Sequence, residues 1–294
     1  MKVPAGPAVL AVMGWLTTAA MAGPASASKP MRANPDDPRP PAEKTFTAEF
    51  DGTRQGYVEL LPPRFDPGKP HHTVLALHGH GADRHQYAAD PRDECRGARD
   101  VAAKHGMILV SPDYRGNSWM GPAAEADLVQ LIKQRKRENP AGKVFLVGAS
   151  MGGTSVLIFT ALHPELVDGV SSQNGIASLM EYDNEFAGIA DAIKRAYGGT
   201  DQETLAQFRK RQPEEFRQRS PVFHPEKFRM PVAITVGRKD LMVPPETTIR
   251  LAEAIRKTNP DVLLIDRKEG GHATNYPDTF AALEFVIERA LKRR

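Results

Sequence analysis

The sequence has a single cysteine among 294 residues, Cys95, so no disulfide can form within the chain. A disulfide-stapled scaffold is thereby excluded, and stability has to come from a buried apolar core. The acidic neighbours Asp93 and Glu94 disfavour a thiolate, so Cys95 is expected to be structural rather than reactive. An excess of one charge is missing too: 39 Lys and Arg oppose 36 Asp and Glu, a formal net charge of +3. Phosphate-backbone binding favours a much more basic balance, which argues against nucleic acid as a partner. The local run Lys133, Arg135, Lys136 and Arg137 is expected to be a solvated helix C-terminus, where the dipole favours cations.

Long hydrophobic runs are also lacking. The apolar stretch from about Val9 to Ala22 falls short of the roughly 20 residues that span a bilayer. Lys2 precedes it, and small residues at Ala20, Ala22, Ala25 and Ala27 follow the small-x-small pattern of signal cleavage. Residues 1–27 are therefore expected to be a secretory signal peptide, cut after Ala22 or Ala27. The mature protein is expected to be secreted or periplasmic, with no stable membrane insertion. No cysteine directly follows the stretch to carry a lipid anchor. Residues 28–43 lie in a segment rich in Pro, Ala, Ser and Asp without apolar periodicity, as a disordered linker would be. A single folded domain is expected over residues 44–294.

Within that domain short apolar runs alternate with helical patterns. Thr73 to Leu77, Met107 to Val110, Val144 to Val147, Val232 to Val236 and Val262 to Ile265 are predicted strands. Asp93 to Lys104, Ala123 to Arg137, Met151 to Leu162 and Pro245 to Lys257 are predicted helices. This alternation specifies an α/β fold, a mostly parallel sheet flanked by helices. Thr45 to Phe50 and Tyr57 to Leu61 are expected to add antiparallel edge strands. The alternation breaks between about residues 178 and 229, a charged, mostly helical insertion containing Tyr182, Phe186, Tyr197, Phe208 and Phe216. These aromatics could cap a site or simply pack the insertion onto the body.

The segment Lys143 to Gly153 reads as an apolar strand, then Gly148-Ala149-Ser150-Met151-Gly152, then a helix. A sharp strand-to-helix turn forces its central residue into a strained conformation and crowds its neighbours, which is why glycine flanks it. Ser150 would project its hydroxyl above the sheet as a nucleophile. The Met151 N–H, at the helix N-terminus, would face charge developing on a bound carbonyl oxygen. A hydroxyl needs a base to accept its proton and an acid to orient that base. Asp240 follows the strand ending at Val236, and His272 follows the strand ending at Ile265. Both lie just beyond strand C-termini, the edge where open α/β sheets bind ligands. Asp266 is the rival acid.

The second oxyanion donor should come from His78-Gly79-His80-Gly81, after the strand Thr73 to Leu77. The His80 N–H is the expected donor, with Gly81 as the alternative. His78, His80, Asp83 and His85 also superficially resemble a metal cluster, but their spacing is one residue longer before the Asp than the metallohydrolase pattern. Trp119, in the loop Asp113 to Gly121, is a candidate pocket wall.

His78-Gly79, Gly148 to Gly153, Gly237 to Asp240 with Val243-Pro244, and Gly271-His272 together resemble the α/β-hydrolase superfamily. The resemblance covers about Thr73 to the C-terminus. It is nearest to exported esterases related to the prolyl-oligopeptidase catalytic domain, including esterase D and feruloyl or acetyl-xylan esterase relatives. It implies an eight-stranded sheet, a Ser150, Asp240, His272 triad, an acyl-enzyme mechanism and no cofactor or metal. The expected substrate is a small-molecule or carbohydrate-linked carboxylic ester. A serine peptidase is the alternative, less favoured because the β-propeller of large prolyl oligopeptidases has no room in this chain, and a metal-dependent hydrolase or a non-catalytic relative of the fold ranks below it.

Overall fold

The computed structural model describes residues 40–183 and 188–293. The expected signal peptide, residues 28–39 of the expected linker, and Phe186 lie outside the described residues. Eight strands form one sheet: β1 (Ala42–Thr47), β2 (Arg54–Leu60), β3 (Thr73–Leu77), β4 (Ile108–Pro112), β5 (Val144–Ala149), β6 (Gly169–Gln173), β7 (Val232–Gly237) and β8 (Val262–Arg267). Their spatial order is β1-β2-β4-β3-β5-β6-β7-β8. Pairing is parallel from β4 through β8, while β1 with β2 and β2 with β4 are antiparallel. The expected α/β class is therefore the observed one.

The helices are α1 (His85–Ala89), α2 (Asp93–Lys104), α3 (Pro122–Glu138), α4 (Met151–Leu162), α5 (Ile189–Ala196), α6 (Leu205–Arg211), α7 (Pro213–Gln218), α8 (Glu246–Arg256) and α9 (Tyr276–Lys292). Central strands are covered on both faces, so their residues alternate between two apolar layers. Leu75, Leu77 and Leu146 pack toward α3, α4, α8 and the insertion. Val74, Ala76, Phe145 and Val147 pack toward α2 and α9. Among the described residues no helix is long and apolar enough to cross a membrane.

Most expected elements sit where the apolar pattern put them, with ends shifted by a residue or two. β1 ends three residues early because the chain turns at Ala48 to Gly52, where Gly52 takes φ +73° and donates to the Ala48 carbonyl at 2.8 Å. The basic run ending α3 is not wholly solvated. Arg135 is only 8% exposed, because its guanidinium donates to Glu59 on β2 at 2.6 Å and pairs with Glu138. The insertion is built on its own aromatics: Tyr197 stacks on Phe216 at 5.3 Å between centroids, and Phe208 meets Phe216 edge-on at 5.6 Å.

Candidate active site

The turn from β5 into α4 places Ser150 at φ 58°, ψ −121°, a left-handed position that a serine occupies only at a cost of roughly 1–3 kcal/mol. Its neighbours explain the glycines. A Cβ on Gly152 would lie 2.0 Å from the Leu77 carbonyl oxygen, and one on Gly148 would lie 2.5 Å from Gly152. The Ser150 N–H is anchored to the Gln173 carbonyl of β6 at 2.9 Å. Burial of nearly all of α4 then leaves the elbow no freedom to relax.

Three side chains from separate loops converge there. His272 Nε2 lies 2.9 Å from Ser150 Oγ, and His272 Nδ1 lies 2.7 Å from Asp240 Oδ2. Asp240 is buried, and its other oxygen accepts the N–H groups of Met242 and Val243, each at 2.9 Å. A carboxylate held this way donates nothing, so His272 must carry its proton on Nδ1 and present Nε2 as an acceptor to the serine hydroxyl. Asp266 is not the acid: it lies on β8 in a surface fork with Arg238, both oxygens at 2.8 Å, and Arg238 and Lys268 hold its carboxyl well below the usual range.

Two residues that the sequence reading missed hold the His272 loop. Asn174, at φ 46° just after β6, donates its amide to the carbonyls of Gly271, at 3.1 Å, and His272. Arg267 donates to Asn174 Oδ1 and to the Gly271 carbonyl, both at 3.1 Å, and also to the Ala273 carbonyl. An asparagine after a strand is one of the few residues that tolerate left-handed backbone, a signal present in Gln173-Asn174-Gly175.

Of the expected oxyanion residues, one adjoins Ser150 in the chain and the other shares its cavity. Met151 opens α4, where first-turn N–H groups have no partner inside the helix. His80 lines the same cavity. Gly81 does not serve as the alternative donor, because its N–H is given to Asn117 Oδ1 at 2.7 Å. The cavity measures about 760 Å³ and is bordered by Ile189, Met242 and Val243 on an apolar side and by Arg92, Asp93 and Glu94 on a charged side. Ile189 comes from the insertion, so that segment contributes directly to the site.

Trp119 is not a pocket wall. It is completely buried and absent from the cavity lining, with its ring behind His80 at 6.1 Å between centroids and its Nε1–H given to His80 Nδ1 at 3.3 Å. Trp119 and Met120 both have positive φ, 46° and 57°. The insertion clamps this strained pair: Tyr197 donates its hydroxyl to the Trp119 carbonyl at 2.9 Å, and Arg219 donates to the Met120 carbonyl at 2.8 Å.

The four residues of the metal-like spacing go to different partners. The His78 ring nitrogens face the carbonyls of Gly79 and Asp113 at 2.8 and 3.0 Å, His80 meets Trp119, Asp83 accepts the His85 N–H at 2.8 Å, and His85 lies 3.3 Å from Glu43. Cys95 is buried inside α2, and burial, followed by the charge of Glu94, pushes its thiol far above the ordinary value.

A nucleophile elbow on a mostly parallel eight-stranded sheet defines an α/β-hydrolase. The sequence matches the prolyl oligopeptidase family over residues 127–284, a span that holds Ser150, Asp240 and His272. The chain belongs to that family. No curated protein matches the sequence. Among solved structures, the fold is similar to a Bacteroides ovatus protein described as a dipeptidyl aminopeptidase IV, with TM-score 0.64 and 16% identity over 86% of this chain and 36% of that one. It is also similar to an S-formylglutathione hydrolase from Agrobacterium tumefaciens, with TM-score 0.60 and 16% identity over 86% of this chain and 95% of the other. A ferulic acid esterase gives TM-score 0.61 and 17% identity over 84% of this chain and 98% of the other. The chain thus spans about a third of the first neighbour and nearly all of the two others.

Proposed function

We propose that the protein is a serine esterase that cleaves carboxylic esters through an acyl-enzyme on Ser150. The observation that carries this reading is the unbroken line Asp240, His272, Ser150, with contacts of 2.7 and 2.9 Å. His272 Nε2 takes the hydroxyl proton as Ser150 Oγ attacks the ester carbonyl carbon, and the carbonyl π electrons move onto oxygen. Asp240 fixes the imidazole tautomer and stabilises the imidazolium. The Met151 and His80 N–H groups hold the oxyanion. When the tetrahedral adduct collapses, the carbon–oxygen bond to the alcohol breaks and His272 returns the proton to the departing oxygen. A water activated by the same base then hydrolyses the acyl-enzyme.

The cavity volume falls in the range of small-molecule sites, and the neighbours that this chain covers almost end to end are an S-formylglutathione hydrolase and a ferulic acid esterase. Both observations support an ester over a peptide. The family match supports the second reading, a serine peptidase. Ser150→Ala tests the chemistry: a fluorophosphonate probe should label the native protein at Ser150 and leave the variant unlabelled, with hydrolysis of p-nitrophenyl esters abolished. Matched ester and amide substrates separate the two readings, and faster turnover of the amide would overturn the esterase. The pattern of residues 1–27 supports export, which N-terminal sequencing of the mature protein tests.

A further inference from the structure

The esterase reading needs the His80 N–H to face the substrate, and the following inference rests on that reading. A peptide plane flanked by glycine rotates easily, and Gly81 already takes φ +77°. In a trans peptide the N–H points opposite to the preceding carbonyl, so each plane is fixed once either end is held. Three consecutive planes are held here. In the first, Tyr114 donates its hydroxyl to the His78 carbonyl at 2.5 Å, and the Gly79 N–H goes to Gln86 Oε1 at 2.7 Å. In the second, the Gly79 carbonyl accepts the Ala82 N–H at 3.2 Å and faces His78 Nδ1 at 2.8 Å, which fixes the direction of the His80 N–H. In the third, the Gly81 N–H goes to Asn117 Oδ1 at 2.7 Å, which keeps the His80 carbonyl from swinging round.

We propose that Gln86 and Asn117 are positioning residues that hold the loop from opposite sides so that the His80 amide, and neither glycine amide, is presented to the oxyanion. Gln86 lines the cavity that holds Ser150 and Asn117 does not, and both act through the backbone amides they hold. Gln86 is buried at the start of α1, whereas Asn117 is exposed on the loop after β4, so Asn117 can be changed with little risk to folding. Its bond to Gly81 would contribute little to stability. Its effect should therefore fall on the transition state.

The test is Asn117→Ala, with Gln86→Met as the second variant, assayed on p-nitrophenyl acetate and against a trifluoromethyl ketone, whose hemiketal carries the same oxyanion as the transition state. Titration with excess fluorophosphonate counts the competent sites, so that misfolded molecules do not lower the apparent rate. Asn117→Ala should lower kcat by about 10- to 100-fold, somewhat less than outright removal of an oxyanion donor, and leave KM within about twofold. Affinity for the ketone should fall by the same factor as kcat/KM. Asn117→Asp, which keeps an acceptor for the Gly81 N–H, should recover part of both losses. Unchanged kcat in Asn117→Ala, a change confined to KM, or a kcat loss without loss of ketone affinity would overturn the proposal. Failure of the esterase reading itself would appear earlier and differently, as a native protein that neither hydrolyses esters nor is labelled at Ser150.

Discussion

Gly237 stands so close to Gly271 that a Cβ added to it would lie 2.2 Å from the Gly271 carbonyl oxygen and 2.6 Å from that of Gly270. The end of β7 and the loop after β8 therefore meet backbone to backbone, joined further by the Lys239 N–H donating to the Gly270 carbonyl at 2.9 Å. One loop carries Asp240 and the other His272. Their 2.7 Å contact is set by main-chain packing before either side chain chooses a rotamer.

Gly237→Ala should consequently push the His272 loop away from Ser150. A displacement near 1 Å costs on the order of 100-fold in rate, and the loss should appear in kcat with KM little affected. Steady-state kinetics on a p-nitrophenyl ester measure it, and a thermal melt shows whether the variant remains folded. Full activity in Gly237→Ala would mean that the loop yields freely and that the close approach does not position the histidine.

Asp240→Asn separates the proposed catalytic role of the carboxylate from its structural one. The remaining side-chain oxygen can still accept the Met242 and Val243 N–H groups, so urea unfolding should change little. The amide nitrogen that replaces Oδ2 donates a hydrogen bond instead of accepting one from Nδ1–H, so the imidazole turns to the wrong tautomer and kcat should fall by roughly 10⁴-fold. Asp240→Ala should lose as much activity and, in addition, about 1–3 kcal/mol of stability from buried N–H groups left without an acceptor.

How far the sequence reveals this arrangement depends on whether apolar periodicity reaches the element. β3, β5 and β7 are buried strands and β8 a half-buried edge strand, all with apolar runs, and the residues after them are readable as site loops because strand C-termini face one edge. β6 escapes because Gly-Val-Ser-Ser-Gln is polar yet completely buried, with Ser172 satisfied by donating to the Gly153 carbonyl at 2.9 Å. The long α9 is likewise missing from the sequence reading, although Asn275 caps it by accepting the Asp278 N–H at 2.8 Å. Gln86, Asn117, Asn174 and Arg267 are illegible for another reason. Their partners are backbone groups in other turns, from 4 to 98 residues away, and apart from the place of Asn174 between a strand and a glycine no local pattern distinguishes them from surface polar residues. Trp119 shows the opposite error: a loop beside the site suggests a wall, but its side chain turns inward behind His80.

Cys95 should behave as an inert core residue. Its side chain is buried in α2, and the high thiol pKa that burial imposes leaves almost no thiolate at neutral pH. A disulfide exchange reagent such as dithiobisnitrobenzoate should react with the native protein far more slowly than with protein in urea, and Cys95→Ala should retain its ester hydrolysis. Rapid, stoichiometric modification of the native protein together with loss of activity would contradict this.

The insertion is tied to the body through Glu125 on α3, which receives bonds from Arg219 at 2.5 Å and from His163, just after α4, at 2.7 Å. Arg219 also donates to the Met120 carbonyl, so the same guanidinium restrains the strained turn behind the site. Burial by itself would raise the Glu125 carboxyl, but the bonds from His163 and Arg219 outweigh it and hold the group below its ordinary value of 4.5. A depressed folded-state value means that the unfolded chain binds the proton first as pH falls. The stabilisation is therefore complete above about 4.5 and is lost as pH drops through the folded-state value. Glu125→Gln should be less stable than the native protein at neutral pH, and the gap between their urea midpoints should close steadily on acidification. Parallel urea titrations across that range measure it, and a gap that stayed constant would show that Glu125 contributes through packing rather than through its charge.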